Sequence, residues 1–246
     1  MSNRYRFLLF DFVNTLVLPD RSTLPVLVVD GKPVASTAPL LCGHLARHRS
    51  GLDPVAVHRA QREAWRWAEG RRAEEHREVP AVERFRRLAA VLDIPDVDEA
   101  GLMRLVELHM AAVIATFRFP AAHRALLEGL RRRYRMGILS NFDHGPPVRA
   151  VLAREGVLDW FDPIVISADI GYRKPGERAF GHALARTGEP QRDVLHVGDS
   201  FGDDVVGAQG VGIDVAWINP GREPAPPGAQ ATYVLESLAH LDRVLA

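Results

Sequence analysis

RFLLFDFVNTL, residues 6–16, begins as a short apolar run that ends abruptly at a carboxylate, Asp11. An apolar run of this length without polar alternation predicts a strand buried on both faces, with Asp11 at its C-terminal edge. DVLHVGD (193–199) has the same character and leads into Asp203 and Asp204. From Pro120 onward, strands of this kind alternate with helical periodicity. PAAHRALLEGLRRR, GPPVRAVLAREG, GERAFGHALARTG, DDVVGAQGVG and a last helix, SLAHLDRVLA, separate the strands RMGILS, DPIVISAD, DVLHVGD and DVAWIN. Short apolar strands alternating with helices predict an α/β fold with a parallel sheet covered on both faces. Its first strand lies at the start of the chain and the rest begins near residue 119. The expected organisation is a core made of residues 1–18 and 119–246, with residues 19–118 inserted between.

The insertion has a different rhythm. PVLVVDGKPVAS (25–36) carries two β-prone runs around Asp30-Gly31, a hairpin signal. Four stretches with apolar residues at three- and four-residue spacing follow up to about residue 118, one opening on Asp53-Pro54 as N-cap and first helical position. The 13 arginines of residues 37–118 stand among 12 acids, so they read as a solvated helical surface and not as a nucleic-acid patch. Trp65 and Trp67, two apart on a helix, do not share a face and are expected to pack. The Pro-rich stretch INPGREPAPPGAQA (218–231) reads as a surface loop.

Composition narrows the function. The formal net charge of zero argues against general attraction to nucleic acid or anionic lipid. No segment reads as a signal peptide or a membrane span, so a cytoplasmic location is expected. The single cysteine, Cys42, excludes an internal disulfide and a cysteine-cluster metal site, and is expected to be a buried small apolar residue. Of 31 basic residues only Lys32 and Lys174 are lysines, so a lysine kept against this bias calls for a local reason.

Four places carry chemistry, each at a predicted strand end, where open α/β sheets gather ligands. They are FDFVNTL (10–16) with Asp11, LSN (139–141) with Ser140, YRKPG (172–176) with Lys174, and HVGDSFGDD (196–204) with Asp199, Asp203 and Asp204. Singly, each is an ordinary helix cap or first-turn acid. In this order on this fold they resemble the haloacid dehalogenase superfamily, over nearly the whole chain. The resemblance implies a Rossmann-like core and a C1-type helical cap, here the 19–118 insertion with its hairpin. It implies Asp11 as nucleophile, Ser140 on a transferring phosphoryl oxygen, and Lys174 paired with Asp11 and the phosphoryl charge. Thr15 and Asn141 fall among the substrate-binding positions. Mg²⁺ would be held by Asp11, Asp199, the Val13 carbonyl and, through water or directly, Asp204. The partner expected is a small phosphorylated molecule. Such chemistry suits the residues: two anions must meet, and a hard cation with a compact ammonium neutralises them.

One motif departs. Superfamily phosphatases usually read D-x-D-G-T, and this chain reads Asp11-Phe12-Val13-Asn14-Thr15. Valine stands where the acid/base belongs. Dehalogenases and phosphonatases also resemble the superfamily with non-acidic residues there, so a 2-haloacid dehalogenase is an alternative, and a phospho-ligand or partner-binding protein that turns over nothing is another. The phosphonatase reading lacks the cap lysine it needs. The acidic GDSFGDD favours a Mg²⁺-dependent phosphatase-type site, because clustered acids without a metal would repel one another. His144 and His196 are the remaining candidates for a substitute acid, although a core or solvated role suits each better.

Overall fold

The computed structural model describes residues 4–94 and 96–245. In chain order the strands and α-helices are β1 (Phe7–Phe10), β2 (Leu18–Pro19), β3 (Val26–Val29), β4 (Lys32–Ala35), α1 (Ala38–Leu45), α2 (Pro54–Glu75), α3 (Ala81–Val91), α4 (Glu99–Ala115), β5 (Phe117–Arg118), α5 (Ala121–Leu130), β6 (Arg135–Ser140), α6 (Pro146–Arg154), β7 (Ile164–Ile166), α7 (Ser167–Ile170), α8 (Glu177–Thr187), β8 (Val194–Gly198), α9 (Val206–Gly210), β9 (Asp214–Ile218) and β10 (Tyr233–Leu235). Two compact units result, one of Met1–Pro19 with Arg118–Ala246 and the other of Asp20–Phe117.

The first unit is built on a six-stranded sheet in the order β10-β9-β8-β1-β6-β7. Its strand pairs are parallel. β1 is central, with all four residues buried, which is why its sequence shows no polar alternation. In register, Phe10 lies between Ile138 of β6 and Val197 of β8. The chain order reverses on either side of β1, so the crevice beyond its carboxyl end is the topological switch point. Phe7, Leu9, Leu139, Phe180, Val205 and Trp217 anchor the core on one side of the sheet.

Among the described residues, the second unit contains the 3₁₀ turn Arg21–Thr23, the hairpin and the α-helices α1–α4. β3 pairs antiparallel with β4, and the turn at Asp30 and Gly31 has φ of 50° and 76°, as a two-residue hairpin turn requires. α2 starts at Pro54 with the Asp53 side chain accepting from Val55 N.

Several expectations are corrected. The last segment is a 3₁₀ helix, Leu238–Val244, and the short strand β10 precedes it. GDSFGDD leads into a π-type turn, Phe201–Val205, before α9 begins. Arg72 and Arg84, expected on a solvated face, are buried. Arg72 is held by Glu78 at 2.8 Å, Glu69 at 2.6 Å and the Val79 carbonyl at 3.2 Å. Trp65, expected to pack, is 41% exposed, with the guanidinium groups of Arg72 and Arg84 over its ring. Cys42 is half-buried, and burial raises its thiol pKa. Among the described residues no helix is long and apolar enough to cross a membrane.

Candidate active site

Asp11 follows directly on β1, tied in by its backbone N–H donating to the Val197 carbonyl at 2.8 Å. The chain then turns tightly: Asn14 N donates to Val17 O at 2.7 Å, and Leu16 N and Val17 N both return to Phe12 O. Asn14 has a φ of 63°, a left-handed conformation that asparagine tolerates better than most residues. The turn leaves Thr15 fully buried, its Oγ1 without a hydrogen-bond partner.

Lys174 enters from the loop before α8 and is almost completely buried. Its Nζ donates to Asp11 Oδ1 and to Asp204 Oδ1, each at 2.6 Å. Burial pulls the lysine pKa down, but Asp11 and Asp204 outweigh it, so the group is held firmly cationic. Asp204 arrives on the π-type turn, where Ser200 Oγ caps Asp203 N and the Ser200 carbonyl accepts from both Asp204 N and Val205 N. Its Oδ1 also accepts from His196 Nε2 at 2.8 Å and its Oδ2 from Ser200 N at 2.9 Å. Burial alone would raise Asp204, yet Lys174 and His196 hold it well below the usual carboxylate range. Gly198 makes room for this carboxylate: a Cβ there would lie 2.2 Å from Asp204 Cγ.

The site holds more negative charge than its one lysine balances. Burial raises Asp11, Lys174 opposes, and the carboxylates of Asp204 and Asp199 add to the rise, leaving Asp11 at about 7. Asp199, on the residue after β8, is pushed up to about 6 by burial and by Asp204, against a hydrogen bond from Asn14 Nδ2 at 3.3 Å. Oxygen atoms of Asp11, Asp199 and Asp204 lie within 4.8 Å of one another. A cluster of carboxylate oxygens with a surplus of buried negative charge suits a small divalent cation such as Mg²⁺.

Of the residues singled out in the sequence, Asp11, Lys174 and Asp204 form one hydrogen-bonded chain, with Asp199 close to its carboxylates. Ser140 ends β6, buried, in the strand next to β1. Asn141, expected to meet substrate, has another occupation. Its Oδ1 accepts from Lys174 N at 2.8 Å, while its Nδ2 donates to Lys174 O at 3.0 Å and Asp203 Oδ2 at 3.1 Å. This amide fixes the backbone that carries Lys174. His196 lies fully buried behind Asp204, with Nε2 spent on it, so it cannot act as substitute acid beside Asp11. Among the described residues, no hydrogen bond joins His144, in the loop after β6, to Asp11.

A family model described as haloacid dehalogenase-like hydrolase matches residues 5–212. The chain belongs to the haloacid dehalogenase-like hydrolases. Among curated relatives, the pyrimidine 5′-nucleotidase YjjG of Escherichia coli is 36% identical over 123 residues, 49% of this chain and 54% of that protein. The glyceraldehyde 3-phosphate phosphatase of Methanothermobacter thermautotrophicus is 35% identical over 104 residues, 41% of this chain and 44% of its own. The chain thus spans about half the length of the curated relatives it matches. Two solved structures share the fold over 98% of this chain. One is the putative HAD-hydrolase YfnB from Bacillus subtilis, bound to magnesium, with a TM-score of 0.65, 22% identity and 99% of that chain covered. The other is a 2-haloacid dehalogenase from Pseudomonas syringae, with a TM-score of 0.68, 21% identity and 98% covered. These structural likenesses establish the fold alone.

Within this hydrolase site, two contacts were not legible in the sequence. Asn141 and Lys174 are 33 residues apart, and nothing in LSN distinguishes a clamp from a ligand contact. Asn14 could have been suspected, because asparagine at a turn position suits positive φ, but its bond to Asp199 depends on how β1 and β8 lie together.

Proposed function

We propose that this hydrolase is a Mg²⁺-dependent phosphatase-type enzyme acting on small phosphorylated molecules with good leaving groups, with Asp11 as nucleophile and the Asp20–Phe117 unit as its cap. The observation that carries this reading is the convergence of the Asp11, Asp199 and Asp204 carboxylates, two of them bonded to Lys174. A halide-displacing site has no use for so many acids, and burial makes them unfavourable without a cation.

The Asp11 and Asp199 carboxylates and the Val13 carbonyl would hold the metal. Asp204 accepts three hydrogen bonds from Lys174, His196 and Ser200, which suits it better as a counter-ion for Lys174. The cation would offset the charge of the phosphoryl group and of the attacking carboxylate. Asp11 attacks phosphorus and forms an acyl phosphate, splitting one displacement into two. Lys174 and the Ser140 hydroxyl bind phosphoryl oxygens, and Asn141 keeps Lys174 in place. Val13 can neither protonate a leaving alkoxide nor activate water. A positioned acid or base contributes about 10²–10⁴-fold, so alkyl phosphates are poor substrates, while aryl and acyl phosphates leave without that proton. The absent acid is also what a 2-haloacid dehalogenase would show, since a halide leaves without a proton, and this is the second reading.

The test is the slope of log rate against leaving-group pKa for a series of phosphate esters. The wild type should show a steep slope, and Val13→Asp a flatter one, with alkyl phosphate turnover raised by up to about 10²–10⁴. A shallow slope already present in the wild type would mean that another acid serves, with His144 the first candidate.

A further inference from the structure

We propose that the first unit carries a second ligand site, at the opposite end of its sheet from the carboxylates: an arginine-lined cavity that binds a compact polyphosphate, a chain of two or three phosphoryl groups. This site is separate from the phosphatase-type chemistry above and does not depend on it.

The strand register builds the cavity. Arg6 precedes β1 as Asp11 follows it, so the two stand at opposite ends of one strand. Phe7 pairs with Arg135, the first residue of β6, and Arg135 N donates to Arg6 O at 3.1 Å. Both arginines therefore start from the N-terminal edge of the sheet. The chain reaches β6 from α5 through Arg131, Arg132 and Arg133. All five arginines line one cavity of about 470 Å³, and Glu189 is the one acid among the described residues that line it. That volume lies within the range of small-ligand sites.

Most of these guanidinium groups are held in place by groups that leave their charge uncancelled. Arg135 lies over the Phe7 ring, 5.5 Å from its centroid, and donates to the Thr187 carbonyl at 2.7 Å, with Glu189 at 3.5 Å. Arg133 donates to the Tyr134 hydroxyl at 3.0 Å and to the Leu245 carbonyl at 3.1 Å. Arg131 lies over the Trp160 ring, 4.9 Å from its centroid. Arg6 has Asp193 at 3.6 Å. Arg132 is exposed and, among the described residues, has neither a hydrogen bond nor an ion pair. Two carboxylates, Glu189 and Asp193, thus meet five cations. Asp159 and Asp162 line the neighbouring cavity, which shares Arg131, Arg132 and Arg135, so the surplus of positive charge lies on the side of Arg6 and Arg133.

Arginines that follow a helix complement its C-terminal carbonyls, which would account for Arg131, Arg132 and Arg133 after α5. It does not account for Arg6 and Arg135, which come to the same cavity from strand starts. A concave set of like charges focuses its potential on whatever enters. Guanidinium groups match phosphoryl oxygens with paired N–H donors, and several of them side by side suit adjoining phosphoryl charges better than a single carboxylate.

The experiment is calorimetric titration of the metal-free full chain with sodium tripolyphosphate at low salt, using the wild type, Arg132→Glu, Arg6→Glu and Asp11→Asn. The wild type should bind one tripolyphosphate per chain, with an affinity that falls as salt is raised. Both charge-reversed proteins should bind about tenfold or more weakly, and Asp11→Asn as the wild type does. Arg132→Glu breaks no contact within the fold, so it should keep the wild-type melting temperature and the wild-type turnover measured without polyphosphate. ATP should bind with similar affinity, because the phosphate chain is what the arginines meet. No binding by the wild type, equal binding by the wild type and Arg132→Glu, or binding of ATP without tripolyphosphate would overturn the proposal. An affinity altered in Asp11→Asn alone would also overturn it, by moving the ligand to the carboxylate cluster. Each of these outcomes leaves the phosphatase reading untouched.

Discussion

Asp11 and Asp204 share one lysine but are biased in opposite directions, and this has consequences for stability. Asp11, at about 7, sits above its unfolded value. Its contribution is therefore fully present below an unfolded pKa near 4 and is lost as pH rises through about 7. In metal-free protein, Asp11→Asn should flatten that loss, giving a melting temperature at pH 8 a few degrees above that of the wild type, as scanning calorimetry at pH 5 and pH 8 would show. A wild type with the same pH dependence as the variant would contradict this. Asp204 is held below its unfolded value, so its contribution is present above pH 4 and lost as pH falls. Asp204→Asn removes one side of a buried ion pair and should cost about 3 kcal/mol or more in urea unfolding at neutral pH. The two carboxamide variants thus shift stability in opposite directions at pH 8, which a general effect of losing a charge would not do.

The π-type turn at Phe201–Val205 places Asp204, and its geometry depends on Gly198 at the end of β8. Gly198→Ala would drive a methyl into a carboxylate that three hydrogen bonds hold in place. The expected penalty is about 1–3 kcal/mol by urea unfolding, together with weaker Mg²⁺ binding by calorimetry. An unchanged urea midpoint would show that the turn yields freely. At this scale the sequence was informative where the physics is local. The unbroken apolar run of β1 can only be a strand covered on both faces, Asp30-Gly31 supplies both positive φ values, and Asp53-Pro54 starts a helix. It was uninformative where tertiary context decides. β10 has three residues and no periodicity to detect, and the final segment has helical spacing but tightens to 3₁₀. Arg72 and Arg84 look like their solvated neighbours, and only the fold supplies Glu78, Glu69 and the Trp65 ring that make their burial tolerable.

Across the whole molecule, residues 11, 140 and 199 stand at the C-terminal ends of the parallel strands β1, β6 and β8, while Lys174 reaches in from the loop after α7 and Asp204 from the π-type turn. That rule made Asp11, Ser140 and Asp199 visible as candidates, whereas Lys174, expected at a strand end, lies in a loop with α7 between it and β7. It could not reveal that the Asn141 side chain turns back onto the chain, or that His196 stands behind Asp204, because both depend on side-chain directions between segments distant in sequence. Removal of the metal should be felt globally. Mg²⁺ should raise the melting temperature of the wild type at pH 8 by a few degrees and leave that of Asp199→Ala unchanged, since binding to the native state alone stabilises it. An equal rise in both proteins would remove Asp199 from the metal site.

The central claim, a cation-dependent phosphoryl-transfer site and not a halide-displacing one, is tested most directly by turnover of p-nitrophenyl phosphate. Chelator-treated protein should be assayed with and without Mg²⁺, beside chloride release from 2-chloropropionate under the same conditions. The account predicts phosphate release that is absent after chelation, restored by Mg²⁺ and missing in Asp11→Asn, with no chloride released. Chloride release that proceeds equally well without the metal, with no phosphate released, would contradict it.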